Sequence, residues 1–243
     1  MAIYRDAGLV LRTHKLGEAD RIVTLLTRDH GKVRAVAKGV RRQNSRFGAR
    51  LEPFMHVDLQ LYEGRNLDTV TQAETLAAYG APIMGYYPAY TAGSAVAETA
   101  DKLSPVEHVP ARALYRLTLG ATAALARGAV APGSVLDSYL LRSLALAGYA
   151  PTLGDCARCG APGPHRAFAP AAGGMVCQEC RPPGSAAPAA GTVDLLGALL
   201  EGDWEQVARA NPVQTQEAAG LVGAFAQFHL ERAIKALRLV ERA

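Results

Sequence analysis

The sequence predicts an α+β multidomain protein in which a small β-barrel is followed by an α-helical domain that contains a four-cysteine module. Three observations predict this class: short alternating apolar segments up to about residue 80, Ala- and Leu-rich helical spacing after Pro82, and two Cys-x-x-Cys pairs. We therefore expect domains at residues 1–80 and 81–243, with the cysteine module interrupting the second domain at about residues 151–183.

Five short segments rich in Val, Leu, Ile and Thr occupy the first domain, and turn-forming residues such as Gly17 separate them. The segments are residues 7–16, 20–29, 31–40, 56–64 and 67–76. In the fourth, Val57, Leu59 and Leu61 alternate with polar residues, as in a half-buried strand. Five such strands fit a closed barrel, of which the five-stranded OB-fold is a common nucleic-acid binder, although an SH3-like barrel would give nearly the same pattern.

Helical spacing dominates the rest of the chain. The uncharged run at residues 75–97 has the length of a membrane span, but prolines, glycines and four tyrosines interrupt it, so we expect a packed junction followed by a buried helix. Further helices are predicted around Leu114–Leu125, from about Pro132 to Ala147 and from about Val213 to Arg242. Their apolar stripes predict a helical core. The Pro- and Ala-rich residues 181–192 read as a loose connector.

Basic residues are concentrated near the N-terminus. Residues 1–50 contain twelve Lys or Arg against four acidic residues, a net charge of +8, whereas the whole chain carries +4. The remaining residues are therefore acidic by four charges. Because a local excess of positive charge attracts polyanions, we expect this end of the chain to face nucleic acid or an anionic surface.

Residues 38–50, "KGVRRQNSRFGAR", form the most basic segment, with five cations and no acid. Neighbouring strands add further cations, so we predict a surface that follows a phosphate backbone rather than a solvated loop without a partner. Phe47 either stacks on a base or folds back as an anchor for the loop. The predicted nucleic-acid-binding residues are Lys38, Arg41, Arg42, Arg46, Arg50, Arg12, Lys15, Lys32 and Arg34.

All four cysteines lie in two pairs with the spacing C-x2-C-x17-C-x2-C, which falls within the template of zinc sites. Four thiolates close the coordination shell, so we predict one structural Zn²⁺ rather than a catalytic one; disulfides or free thiols are the alternative. His165 lies between the pairs and could replace a ligand, but a solvated side chain is the simpler reading. The predicted ligands are Cys156, Cys159, Cys177 and Cys180.

Motifs for catalysis are otherwise absent from the sequence: no phosphate-binding loop, no H-E-x-x-H, no G-x-S-x-G and no dinucleotide-binding glycine pattern. We therefore expect a protein that binds rather than transforms its partners, and not an enzyme. The N-terminus has charges every few residues and no apolar core of a signal peptide, so we expect a cytoplasmic protein, associated with the nucleoid if it acts on DNA.

Five stretches together resemble the bacterial RecO family of recombination-repair proteins: residues 7–42, which end in "KGVRR", "SRFGARLEPF" at 45–54, "AETL" at 73–76, "GYAPTLGDCARCG" at 148–160 and "FAPAAGGMVCQEC" at 168–180. The resemblance covers most of residues 3–76 and 144–180. It implies an N-terminal OB-fold, a helical domain with a zinc module, and a role in binding single- and double-stranded DNA and annealing complementary strands. Some family members lack the cysteines, so the metal would support folding.

The resemblance also implies protein partners. With RecR, such a protein helps RecA replace single-strand-binding protein (SSB) on gapped DNA, so that RecA is an indirect partner and no membrane is involved. Residues are carried over only at the basic motif and the four cysteines. The surfaces for RecR and SSB have no matching motif, and a groove in the helical domain for an acidic SSB tail that ends in Phe is a family expectation.

Two other functions stay compatible with the residues alone, and a third is disfavoured. An RNA- or ribosome-associated OB-fold and zinc protein would share the electrostatics but prefer RNA. An adapter would dock its basic loop on an acidic protein surface and bind no nucleic acid. A metal-dependent nuclease would need a carboxylate cluster that the sequence does not show.

Overall fold

The computed structural model describes residues 2–230 and 234–240. The chain divides into two compact units, Met1–Arg127 and Gly128–Ala243. The predicted domain boundary near residue 80 falls inside the first unit, where the last strand gives way to a helix, and it stays a prediction.

A closed five-stranded barrel forms the first part of the first unit. Its strands follow the order β1-β2-β3-β5-β4, and β4 pairs with β1 to close the barrel. All pairs are antiparallel except the short contact between β3 and β5. This order is that of the OB-fold, so the predicted fold class is confirmed and the SH3-like alternative is set aside. The strands are β1 (Ile3–Leu16), β2 (Asp20–Thr27), β3 (Gly31–Ala37), β4 (Met55–Tyr62) and β5 (Asp68–Ala78).

Strand β1 closes the barrel because it is long enough to form hydrogen bonds with two other strands, β2 and β4. Its first half pairs with β4 and its second half with β2, and the register to β2 shifts between Val10 and Arg12. An irregularity of this kind bends a strand and increases its twist, as a small barrel requires. Alternate side chains along the strands point inward; in β3, Val33, Ala35 and Ala37 are buried.

Three helices complete the first unit: α1 (Gly80–Met84), α2 (Tyr87–Leu103) and α3 (Arg112–Arg127). A buried helix after the uncharged run is thereby confirmed, and its buried face is made mostly of small residues such as Ala92 and Gly93. Phe54 packs there, because a Cβ added to Gly93 would lie 3.2 Å from the Phe54 ring. Phe54 itself has a positive φ of 68°, a conformation that costs a non-glycine residue energy and needs firm packing.

The turn between β2 and β3 approaches the loop between α2 and α3 very closely. Gly31 has a φ of +65°, and a Cβ there would lie 1.8 Å from the carbonyl oxygen of Val109. His108 donates its backbone N–H to the Lys32 carbonyl at 3.0 Å. Only glycine fits at position 31, and the contact fixes this loop on the end of the barrel.

The second unit contains α4 (Pro132–Leu146), β6 (Ala167–Ala169), β7 (Gly174–Val176), α5 (Ala190–Glu201), α6 (Trp204–Ala208) and α7 (Pro212–His229). Helix α4 confirms the helix predicted from Pro132, and Pro occupies its first turn. Helix α7 begins with a capping box in which Asn211 and Gln214 bond reciprocally to each other's backbone N–H. Part of the predicted connector is helical, since α5 begins at Ala190.

The prediction of one helix from about Val213 to Arg242 is wrong at its C-terminal end. Leu230 is the C-cap of α7, and at Ile234 the backbone is extended before a short 3-10 turn at Lys235–Arg238. Ile234 itself is buried. Arg242, the predicted end of this helix, lies outside the described residues.

Within the described ranges, none of the helices combines the length and the apolar character that crossing a bilayer requires.

Candidate nucleic-acid interface and metal centre

Residues 38–50 form a loop, called the basic loop below. Two hydrogen bonds to the barrel hold the beginning of this loop in place. The backbone N–H of Gly39 donates to the Asp20 carboxylate at 2.7 Å, and that of Arg41 donates to the Ala19 carbonyl at 2.9 Å. Both acceptors flank the turn between β1 and β2. The basic loop and this turn therefore occupy the same end of the barrel.

Phe47 anchors the far half of the basic loop. Its side chain is 1% exposed and belongs to the hydrophobic core of the barrel, together with Leu51. The suggestion that Phe47 stacks on a base is therefore wrong, and its role is to fold back and fix the loop. The Arg46 guanidinium lies 4.8 Å from the centre of the Phe47 ring, a cation–π contact at the barrel surface.

Four predicted cations at this end of the barrel are exposed and have no acidic partner in the part of the chain that the structure describes. They are Lys15, Lys38, Arg42 and Arg46. Arg41 is also exposed, and its guanidinium donates to the carbonyls of Gly17 and Glu18, at 3.3 and 2.9 Å. A guanidinium has five N–H donors, so these two bonds orient Arg41 and leave donors for an anion.

Arg50 lies at the edge of this group. It donates to the Arg46 carbonyl at 2.9 Å, and its Nε is 3.9 Å from a carboxylate oxygen of Glu74. Pairing at that distance on an exposed surface contributes little energy, so the charge of Arg50 remains accessible. The structure thus brings six of the nine predicted residues together around the basic loop and the adjoining turn.

The other three predicted cations face the helices of the same unit, where carboxylates pair with them. Asp101 of α2 binds both Arg12, at 3.0 Å, and Lys32, at 3.2 Å. Arg34 binds Glu107 of the loop after α2, at 2.5 Å. The acids were missed because they lie far along the chain from these cations, and no local spacing in the sequence signals such a pair.

The Lys32 side chain is also the least accessible of the nine. It is 11% exposed, and its ammonium donates to the backbone carbonyl of Asp101 as well as to the carboxylate. A phosphate would have to displace a partly buried carboxylate to reach it, which costs more than meeting a solvated cation. The two groups of cations therefore differ in their availability to a polyanion.

The four cysteines of the second unit converge on one point. The Sγ atoms of Cys156, Cys159, Cys177 and Cys180 all lie within 4.8 Å of one another. The Sγ atoms of Cys159 and Cys177 are 3.8 Å apart. Since a Zn–S bond is about 2.3 Å long, tetrahedral ligands would be separated by about 3.8 Å, and the cluster has the dimensions of a four-thiolate metal site.

Backbone hydrogen bonds build the two cysteine turns. Gly160, with a φ of +73°, donates its N–H to the Cys156 carbonyl at 2.8 Å and closes the first turn. Ala157 donates to the Met175 carbonyl at 2.8 Å and ties this turn to β7, beside the second pair. Gly174 allows the approach of Thr152, because a Cβ there would lie 2.1 Å from the Thr152 carbonyl oxygen. His165 bonds to the Ala161 carbonyl at 2.9 Å and is not part of the cluster.

The thiols influence one another's ionisation. Backbone N–H groups, first that of Cys177 and then that of Cys159, lower the pKa of Cys156 to about 5. Hydrogen bonds with the Cys177 and Cys159 side chains raise the pKa of Cys180 to about 12. One thiolate is thus stabilised, whereas hydrogen bonds among the thiols oppose further ionisation. A bound divalent cation would favour the thiolates instead. The donor set fits a metal ion, and zinc in particular suits four thiolates.

The cysteine module packs on the helices of its own unit. The Phe168 ring of β6 lies 6.0 Å from that of Phe225 in α7, and both side chains are buried. A further ring contact joins Phe225 to His229, at 4.3 Å. The pKa of His229 is lowered by burial. These contacts make the module part of the second unit rather than an independent appendage.

The fold and these sites define a class: an OB-fold barrel with an exposed cationic loop, joined to a helical unit that carries a four-cysteine centre suited to a metal. Comparison with known proteins specifies the family. Residues 1–79 match the family model described as "Recombination protein O N terminal", and residues 85–238 match "Recombination protein O C terminal". The chain is 59% identical over all 243 residues, the full length of both chains, to the "DNA repair protein RecO" of Thermobifida fusca strain YX. The chain belongs to the RecO family of DNA repair and recombination proteins.

Proposed function

We propose that this protein binds single- and double-stranded DNA through the basic loop and the adjoining turn, and anneals complementary strands. The observation that carries the proposal is the group of exposed cations without acidic partners on the OB barrel, in a chain of a DNA repair family. Contacts from Lys and Arg to phosphates position a strand without reading its sequence. Any two complementary strands can therefore be bound.

Annealing makes and breaks no covalent bond. It requires only that the electrostatic repulsion between the two DNA strands is reduced. A surface that neutralises several phosphates on each strand releases condensed counterions and lets the bases of two strands meet. In the cell, the proposed role is to act with RecR so that RecA replaces SSB on gapped DNA. RecR and SSB are then direct protein partners, and RecA an indirect one.

Among the nine predicted cations, those around the basic loop are the primary phosphate contacts in this proposal. They are Lys15, Lys38, Arg41, Arg42, Arg46 and Arg50. Arg12, Lys32 and Arg34 stay a prediction, since each would have to exchange a carboxylate of its own unit for a phosphate. We assign to the cysteine centre one structural Zn²⁺, because four thiolates leave no position for water or substrate.

The test is a strand-annealing assay on complementary oligonucleotides coated with SSB. The wild-type protein is compared with the triple variant Arg41→Ala, Arg42→Ala, Arg46→Ala. A matched control removes the same number of charges from exposed arginines elsewhere, by Arg116→Ala, Arg127→Ala and Arg209→Ala. The first variant should anneal much more slowly than the wild type, and the control should not.

Equal annealing by the two triple variants would contradict the assignment to the basic loop. A wild-type protein that neither binds the oligonucleotides nor accelerates their annealing would contradict the proposed function itself.

A further inference from the structure

An exposed aromatic patch lies at the beginning of α2. Tyr86, Tyr87 and Tyr90 are 56%, 54% and 43% exposed, and the neighbouring Met84 and Leu76 are exposed to a similar degree. Single exposed apolar side chains are ordinary on a protein surface, but a contiguous group of large ones marks a binding site more often than not. We call these five residues the tyrosine patch.

The three tyrosines lie together at the start of α2, with Tyr90 next to each of the other two. Tyr86 is the N-cap and Tyr87 the first residue of α2, and the Tyr90 N–H donates to the Tyr86 carbonyl at 3.0 Å. Residues three and four apart are neighbours on a helix surface, so Tyr90 lies next to both. The buried Phe54 ring stands perpendicular to that of Tyr90, with centroids 6.4 Å apart, and supports it from below.

The tyrosine patch adjoins the basic loop. Phe54 follows the loop by four residues, and a Cβ on Gly80 would touch both the Pro53 carbonyl oxygen, at 3.1 Å, and Met84 Cε, at 3.4 Å. On β5, Leu76 lies two residues beyond Glu74, whose carboxylate is 3.9 Å from Arg50, at the point where the register to β4 shifts. The cations and the exposed rings thus form neighbouring parts of one surface of the first unit.

The charges around the patch favour an anionic occupant with flat rings. Residues 75–97 contain no charged side chain. The carboxylate at the edge of the patch, that of Glu74, lies 3.9 Å from Arg50, which offsets its charge. Within the basic loop the sole aromatic residue, Phe47, is buried in the barrel and cannot stack on a ligand. Surfaces that bind single strands combine a cationic track with aromatic rings, and here the rings are supplied by α2 rather than by the loop.

We infer that unpaired bases of single-stranded DNA stack on Tyr86, Tyr87 and Tyr90 while the phosphates of the same strand lie on the basic loop. This inference rests on the proposed DNA binding and adds to it a contact that only unpaired bases can make. In a duplex the bases are already stacked on one another. The tyrosine patch therefore gives the protein a preference for single strands that phosphate contacts alone do not provide.

The test compares binding of an ordinary oligonucleotide with that of a strand of the same length in which the bases are absent. Fluorescence polarisation at one salt concentration gives the two affinities for the wild type and for the double variant Tyr86→Ala, Tyr87→Ala. The wild type should prefer the ordinary strand by about tenfold or more, as expected for one or two stacked bases. In the variant this preference should disappear while the affinity for the base-free strand stays unchanged.

Two further variants separate stacking from a loss of structure. Tyr86→Phe with Tyr87→Phe keeps both rings and should keep the preference. Tyr149→Ala, at an exposed tyrosine of the other unit, should also keep it. A direct reporter is Tyr87→Trp combined with Trp204→Phe, which replaces the single tryptophan of the chain. Its fluorescence should be quenched by the ordinary strand and not by the base-free strand.

An alanine variant that retains the wild-type preference would overturn the inference and leave the tyrosine patch to a protein partner. Equal emission of the tryptophan reporter with both strands would also overturn it. Failure of the wild type to bind either strand would overturn the proposed function, and the inference with it, so the two kinds of failure are distinguishable.

Discussion

The basic loop and the cysteine module are both irregular, glycine-containing segments, but different forces determine their structure. The basic loop is anchored by Phe47 and Leu51 in the barrel core. The cysteine module has only a small apolar cluster of its own, in which Cys156 and Val176 pack with two alanines. These small side chains bury little area, and Phe168 adds its contact with α7. The proposed zinc would supply the rest of the stabilisation of the module. The loop is thus held by the barrel core, whereas we expect the module to depend on its metal.

The largest expected effect is on the module. Replacing Cys156 and Cys177 by Ser should abolish metal binding, because two hard hydroxyl groups do not replace two thiolates. Zinc binding to structural sites has an apparent free energy of about 10–16 kcal/mol at neutral pH, so the second unit should lose much of its stability. Metal analysis of the wild type should give about one zinc per chain. The control variant, His165→Ala, should retain the zinc. A metal-free wild type of undiminished stability would refute the zinc assignment.

The basic loop should instead depend on its apolar anchor. Phe47→Ala removes a fully buried ring from the barrel core and should lower the free energy of unfolding by about 3–5 kcal/mol. Phe228→Ala, at an exposed position, should cost much less. Chemical denaturation measures the free energy of unfolding of both variants. A cost for Phe47→Ala no larger than that for Phe228→Ala would mean that the loop does not rely on this anchor.

Removal of loop charges should change binding without changing stability. Each phosphate contact contributes about 0.7 to the slope of log affinity against log salt for single strands, so the variant of Arg41, Arg42 and Arg46 should reduce the slope by about 2. Thermal unfolding of this variant should stay close to that of the wild type, since none of the three side chains is buried. An unchanged slope in a salt titration would exclude these arginines as phosphate contacts.

The smallest effect is expected at the cations that face the helices. Arg34→Ala breaks a partly exposed pair with Glu107 and should cost about 1 kcal/mol or less in stability. Arg34→Ala should change the salt dependence of DNA binding less than Arg42→Ala does, because the Glu107 carboxylate already neutralises the charge of Arg34. A reduction as large as that of Arg42→Ala would show that Arg34 releases Glu107 to bind phosphate.

Local patterns predicted the five barrel strands, helices α2, α3 and α4, most of α7 and the cysteine cluster, because each depends on residues close in sequence. The short strands β6 and β7 and helices α1, α5 and α6 were not predicted. The alternation around Val57 and the proline at the start of α4 are examples. Contacts between distant residues were not predictable in this way. Nothing near Phe47 indicates that it is buried, and nothing near Arg12 indicates a pair with Asp101. The end of α7 was also missed, since the apolar spacing continues to Ile234 while the helix does not.

Asp101 binds cations from two strands at once, Arg12 on β1 and Lys32 on β3, and under the proposed function this has a consequence for how a DNA strand leaves the protein. Asp101 carries one negative charge, so it offsets one of the two positive charges and holds both side chains in place. If the basic loop binds DNA as proposed, the strand is held mainly at that end of the barrel. Because fewer phosphate contacts mean lower affinity, a strand bound in this way is released more readily, which suits the proposed annealing.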